Sequence, residues 1–145
     1  MNYKLELYRD LLCSLKRGNS KGGPSNAKPI FLINLFNYIP FVLNNKLEWI
    51  TEDFETSYKQ IFNKFEPSKL TPIIKPFFHL DSEPFYELVW KSNEKPKTHA
   101  LTPSAKYLRE NLAYAKLDND LWMLLQDEGN RKYLQECVIN HYFAQ

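Results

Sequence analysis

Between Tyr3 and Lys16 the apolar residues Leu5, Tyr8, Leu11, Leu12 and Leu15 fall on one helical stripe, with Lys4, Arg9, Asp10 and Lys16 between them. That spacing predicts an amphipathic helix ending at Gly18. Arg17–Lys28 then carries three glycines, a proline and several Ser/Asn side chains, which predicts a turn-rich loop. Pro29 to about Tyr38 is apolar on nearly every side, so it reads as a central buried helix that Pro40 ends or bends. A short extended piece fits Lys46–Ile50. Thr51 followed by Glu52 and Asp53 is a helix start, a hydroxyl cap before acids. That helix turns Phe54, Tyr58, Ile61, Phe62 and Phe65 inward and stops before Pro67. Two aromatic and β-branched runs, Ile73–Leu80 and Phe85–Trp90, flank the turn Asp81-Ser82-Glu83-Pro84 and predict a β-hairpin. A polar linker, Lys91–Ala100, leads to a helix started by Thr102-Pro103 that runs to about Tyr114. Asp118 and Asp127 open two further helices. The pattern predicts a mostly helical α+β domain with one small β-hairpin, a single unit over residues 1–145.

Composition adds limits. Hydrophobic residues make up 43% and aromatics 15%, enough to exclude disorder and to expect an aromatic core. The net charge of +2 announces no partner, but its distribution is uneven. Met1–Lys75 holds 11 basic and 7 acidic residues, whereas Lys116–Gln145 holds 3 and 5. Such polarity suits one face turned towards an anion. Ordinary scatter of surface charge gives the same count. Cys13 and Cys137 both lie in apolar periodic segments and read as free thiols in a reducing cytosol. The amphipathic start is unlike a signal peptide, and the longest uncharged stretch, Pro29–Asn45, holds two prolines and four asparagines. The expected location is cytoplasmic.

No catalytic set stands out. His79, His99 and His141 are far apart, and no Cys-x-x-Cys occurs, so neither a metal nor a cofactor is expected. Asp81, Glu87 and Lys91 resemble in type the acids and lysine of a metal-dependent nuclease, yet exposed hairpin charges explain them as well. Between Asp10 and Glu48 there is no acidic residue, while Lys16, Arg17, Lys21, Lys28 and Lys46 fall in that window. A glycine-rich basic loop feeding a buried helix offers backbone N–H groups, a helix dipole and cationic side chains to a phosphate. Ser20, Ser25 and Asn26 add hydrogen-bonding side chains. A solvated surface loop has the same composition. A second segment, Lys75-Pro76-Phe77-Phe78-His79-Leu80, sets a rigid proline beside aromatics, whose plainest role is core packing.

The order of these pieces resembles a known family. Gly23-Pro24-Ser25-Asn26-Ala27-Lys28-Pro29-Ile30-Phe31-Leu32, then Pro76-Phe77-Phe78-His79-Leu80, then Phe85-Tyr86-Glu87-Leu88 look like the N-terminal recognition domain of McrA-like HNH endonucleases. That domain is the sulfur-binding domain of phosphorothioate-dependent type IV restriction enzymes. The resemblance spans about residues 5–90, with a looser match in the C-terminal helices, about 102–143. It implies that Arg17, Lys21, Ser25, Asn26, Ala27 and Lys28 hold a DNA phosphate. It also implies that Lys75, Pro76 and His79 line a pocket for the modification. Sulfur in place of a phosphate oxygen is larger and less hydrated, so a proline ring favours it. Where the family has a histidine before the basic residue this chain has Ala27, and where it has a small residue this chain has His79.

The expectation is therefore a double-stranded DNA-binding module of a restriction-type defence system that reads modified DNA and has no chemistry of its own. An HNH nuclease domain would act in the same longer chain or in trans. Two rival readings stand beside it. One is a protein-interaction domain that docks through the aromatic hairpin. The other is a nuclease built on Asp81, Glu87 and Lys91.

Overall fold

The side-chain oxygen of Asn2 accepts from the N–H groups of Lys4 and Leu5 and so caps α1 (Tyr3–Leu12). The computed structural model describes residues 2–20, 23–67, 69–92 and 101–143, with Asn19 and Ser20 described by backbone alone. After α1 the glycine-rich segment forms a miniature antiparallel pair, β1 (Asn19–Ser20) with β2 (Gly23–Pro24). Gly23 sits at φ +124°, a conformation closed to most side chains, which is why glycine stands there. The buried helix follows as α2 (Ala27–Tyr38), with Ile39–Phe41 continuing as a 3-10 turn around Pro40. Thr51 caps α3 (Glu52–Phe65) by accepting from the Phe54 N–H, as its sequence predicts.

The hairpin expected over residues 73–90 is absent. Residues Ile74–His79 form a helix, α4, and Leu80–Ser82 a 3-10 turn. Pro76 falls in the first turn of α4, where a missing N–H costs nothing. Phe77 and Phe78 are both buried, so this segment is covered on two sides and carries no alternation that separates strand from helix. The strand β3 (Tyr86–Trp90) pairs instead with β4 (Leu112–Leu117), in the register Tyr86 with Leu117 and Leu88 with Ala115. Residues 112–114, expected at the end of a helix, belong to β4. The helix before it, α5 (Ala105–Asn111), is capped by Ser104 rather than Thr102. Leu47 exchanges backbone hydrogen bonds with Ala115, so the extended piece expected at Lys46–Ile50 touches the sheet at one residue. Two helices complete the chain, α6 (Asn119–Gln126) and α7 (Glu128–Phe143). The protein is thus α+β and mostly helical, with a small antiparallel two-stranded sheet.

Phe31, at the middle of α2, explains how the layers join. Its ring meets Phe54 and Tyr58 of α3, Phe77 of α4 and Tyr86 of β3 at centroid distances of 5.5 to 6.5 Å. Edge contacts of this kind add to the large apolar area the rings bury. Among the described residues no helix is long and apolar enough to cross a membrane.

Candidate nucleic-acid interface

The N-terminal end of α2 opens onto a cleft of about 520 Å³. One wall carries Lys16, Arg17, Gly18, Ser25, Ala27 and Lys28, and the other Lys75, Pro76, Phe78 and His79 of α4, with Thr71, Asp81 and Ser82 between them. The glycine-loop residues and the proline segment, distant in sequence, thus line one cavity. Local bonds shape its mouth. Ser25 donates its N–H to the Gly18 carbonyl (2.7 Å), and its hydroxyl accepts from the Ala27 N–H (3.3 Å). Lys21 lies outside the described residues, as do His99 and most of the linker at 91–100.

Lys28 is the most constrained cation of the cleft. Its ammonium donates to the Lys16 carbonyl (2.6 Å), to Ser82 Oγ (3.1 Å) and to Glu83 Oε2 (2.9 Å). All three of its protons are engaged, its side chain is 11% exposed, and that of Glu83 only 2%. Glu83 Oε2 also accepts from the Lys16 N–H (2.9 Å). This buried carboxylate joins the segment after α1, α2 and the turn before β3. Nothing in Ser82-Glu83-Pro84 as a sequence announces it, because that triplet reads as an exposed turn.

Lys16 and Lys75 are different. Both are exposed, and neither ammonium has a partner among the described residues. Pro76 lines the cleft but is largely buried, so only a small part of its ring reaches it. His79 lies on a helix, not on the outer face of a strand. Its Nε2 is 2.8 Å from Thr102 Oγ1, and its ring stands edge-on to Phe78.

Arg17 and Asn26 line a second, more polar hollow of about 230 Å³ that meets the cleft at Arg17, Ser25 and Thr71. Arg17 Nη1 donates to Asn26 Oδ1 (2.7 Å), and Asn26 Nδ2 donates to Glu66 Oε1 (2.6 Å). The guanidinium lies over the Tyr142 ring, 4.9 Å from its centroid. Tyr142 is itself held by the Leu15 N–H and the Leu12 carbonyl. Glu66, the C-cap of α3, escaped the sequence reading because its partner Asn26 is distant in the chain.

Two of the candidate nuclease residues have other partners. Asp81 Oδ1 accepts from the Leu88 N–H, and Glu87 lies 3.7 Å from Lys116. Among the described residues no three His, Cys, Asp or Glu side chains gather as a metal ion would require. Of the aromatics of the expected docking hairpin, Phe77, Phe78 and Phe85 are buried and Trp90 is half-buried. Cys13 and Cys137 are free, as expected, and half-buried, with Cys13 Sγ 3.8 Å from the Cys137 carbonyl.

No protein-family model matches the sequence, and no curated protein matches it. Among solved structures the chain is similar to the sulfur binding domain and SRA domain of ScoMcrA complexed with phosphorothioated DNA. The TM-score is 0.71 at 14% identity, over 94% of this chain and 42% of that one. The likeness is one of fold. This chain therefore spans less than half the length of the ScoMcrA chain it matches.

Proposed function

We propose that the protein is a DNA-binding module that grips a duplex by its backbone in the cleft between the glycine loop and α4. The observation that carries this reading is that two lysines unpartnered among the described residues, Lys16 and Lys75, share one cavity at a helix N-terminus with Pro76 and Phe78. Lysines supply the salt-dependent attraction to phosphate, and the N-terminus of α2 adds its dipole. The fold shared with a chain solved on phosphorothioated DNA supports the same reading.

The finer proposal is that the cleft reads a backbone mark, with Lys75, Pro76 and His79 forming the wall that meets it. Apolar surface from Pro76 and Phe78 suits a sulfur atom better than a hydrated phosphate oxygen. Lys28 acts here from behind, since its ammonium is neutralised by Glu83 while it ties the wall in place. In this reading the module serves a restriction-type defence system and leaves cleavage to an HNH domain or partner. Titration of labelled duplexes, with and without one phosphorothioate, at two salt concentrations tests it. The expected result is salt-dependent binding that tightens with the phosphorothioate. Equal affinity for both duplexes overturns the sulfur proposal, and no binding at low salt overturns the DNA proposal as well.

A further inference from the structure

At the far end of α2 the chain leaves a gap. Beyond the 3-10 turn around Pro40 a loop crosses to Leu47. It is held by the Asn45 amide on both backbone groups of Leu117 and by the Leu47–Ala115 backbone pair. The loop lines a hollow of about 280 Å³, which Leu35, Tyr38, Ile39 and Trp122 line as well. Its polar side chains Asn45, Thr51 and Tyr86 are committed elsewhere: the Thr51 hydroxyl caps α3, and the Tyr86 hydroxyl donates to the Phe77 carbonyl. The charges in the lining are Lys46 and Lys116, and no carboxylate lines it. We propose that this hollow binds an amphipathic monocarboxylate, a short alkyl chain or a single ring. Its body lies against the apolar walls and its carboxylate turns towards the two lysines.

Each part of that ligand answers a feature of the site. The volume is at the small end of the range for ligand sites, which suits a chain or a ring and is too little for a helix. The Lys46 ammonium lies 5.0 Å from the centre of the Tyr114 ring and has no carboxylate partner among the described residues. That of Lys116 is 3.7 Å from Glu87. One cation is shared and one is not, so the pair answers about one further negative charge. A phosphate dianion exceeds that, and apolar walls give its oxygens no donors. A neutral hydrocarbon fits the walls but draws nothing from the lysines. The walls hold the body by area alone, and the lysines decide which end points out. The hollow shares no lining residue with the DNA cleft, so this inference does not depend on the DNA-binding reading.

The test titrates the whole chain with hexanoate, octanoate, decanoate and 1-octanol, each below the concentration at which it aggregates. Tryptophan fluorescence reports binding, because Trp122 lines the hollow. Wild-type affinity for the carboxylates is expected to rise about fourfold per added methylene until the hollow is full, a result independent of any variant's folding. Lys46→Met keeps an apolar stem and removes the charge. It is expected to weaken octanoate about threefold, as for an exposed ion pair, and to leave 1-octanol where it was. Trp122→Phe is expected to lose the fluorescence response, while Trp49 and Trp90 still report the fold. No saturable response to decanoate, an octanoate affinity that Lys46→Met leaves unchanged, or a response that survives in Trp122→Phe overturns the proposal. A ligand-free chain that self-associates through this face and excludes octanoate overturns it too, in favour of a second copy.

Discussion

At its N-terminal end α2 is tied to the rest of the chain by polar groups. Lys28 bridges to Glu83, and Asn26, just before the helix, bridges Arg17 to Glu66. At its C-terminal end, roughly 18 Å away by helix rise, the surroundings are mostly apolar, although Gln135 donates to the Ile33 carbonyl and to Asn37 Oδ1. There Leu35, Tyr38, Ile39, Phe54 and Trp122 border a hollow of about 280 Å³, and Phe41 and Leu43 stand out into solvent at 81% and 101% exposure. Both ends are anchored, but by different forces. Hydrogen bonds and ion pairs fix direction, so they can hold a guanidinium in one orientation. Apolar contact fixes only that a surface is covered. The end expected to meet a charged, shaped ligand is the one whose side chains are oriented.

The sharpest way to break this contrast is to remove Lys28. Its loss leaves Glu83 as a buried carboxylate with only the Lys16 N–H for company. Lys28→Ala is expected to cost about 3–5 kcal/mol of stability, the usual consequence of stripping one partner from a buried ion pair. Urea denaturation measures it. Lys28→Met combined with Glu83→Gln should recover most of that loss, because the expensive charge is gone. A single variant as stable as the wild type would show that the polar end is not held by this pair.

A smaller effect appears at high pH, from phenols that the fold keeps neutral. Burial, and then the hydrogen bond to Asp118, push the Tyr8 hydroxyl from 10.0 up to about 12. Burial moves Tyr58 and Tyr86 in the same direction. A raised folded-state value means that this contribution to stability is complete below about pH 10 and is lost as the pH climbs through about 12. The urea midpoint is expected to fall across that window, and less steeply in Tyr8→Phe. A midpoint that is flat to about pH 12 in the wild type contradicts it.

The same contrast explains what was legible in the sequence. Stripes and caps are local, so α1, α2, α3 and the Thr51 cap could be read directly, and the glycine loop and Pro76 could be matched to one cavity. The β3–β4 pairing could not. Its strands are separated by α5, and Leu112-Ala-Tyr-Ala-Lys-Leu117 is made of good helix formers that only the neighbouring strand turns into sheet. Glu83 and Glu66 were equally hidden, since a carboxylate becomes buried or bridged only through partners brought from elsewhere in the chain. The sequence shows where cations lie; the fold decides which of them are already spent.

Lys75 sharpens that last distinction. It is exposed and unpartnered among the described residues, so Lys75→Ala should leave the urea midpoint unchanged. Its expected effect is on DNA alone: affinity several-fold lower and a salt slope reduced by about 1. If Lys75→Ala instead binds as the wild type does, the phosphate is not held against α4.

The smallest effect is expected at the apolar end. Leu43 stands fully exposed, yet the loop that carries it is pinned on both sides. The Val42 N–H bonds the Ile39 carbonyl, and the Asn45 amide holds both backbone groups of Leu117. The loop's shape therefore owes nothing to the Leu43 side chain, which buries no area in the fold. Leu43→Ser is expected to change stability by no more than about 0.5 kcal/mol. DNA affinity and its salt slope should also stay put, because the site lies at the other end of α2. A drop in DNA affinity in Leu43→Ser, with the fold intact by circular dichroism, would mean that the two ends of the helix are coupled and that the contrast between them is not one of function.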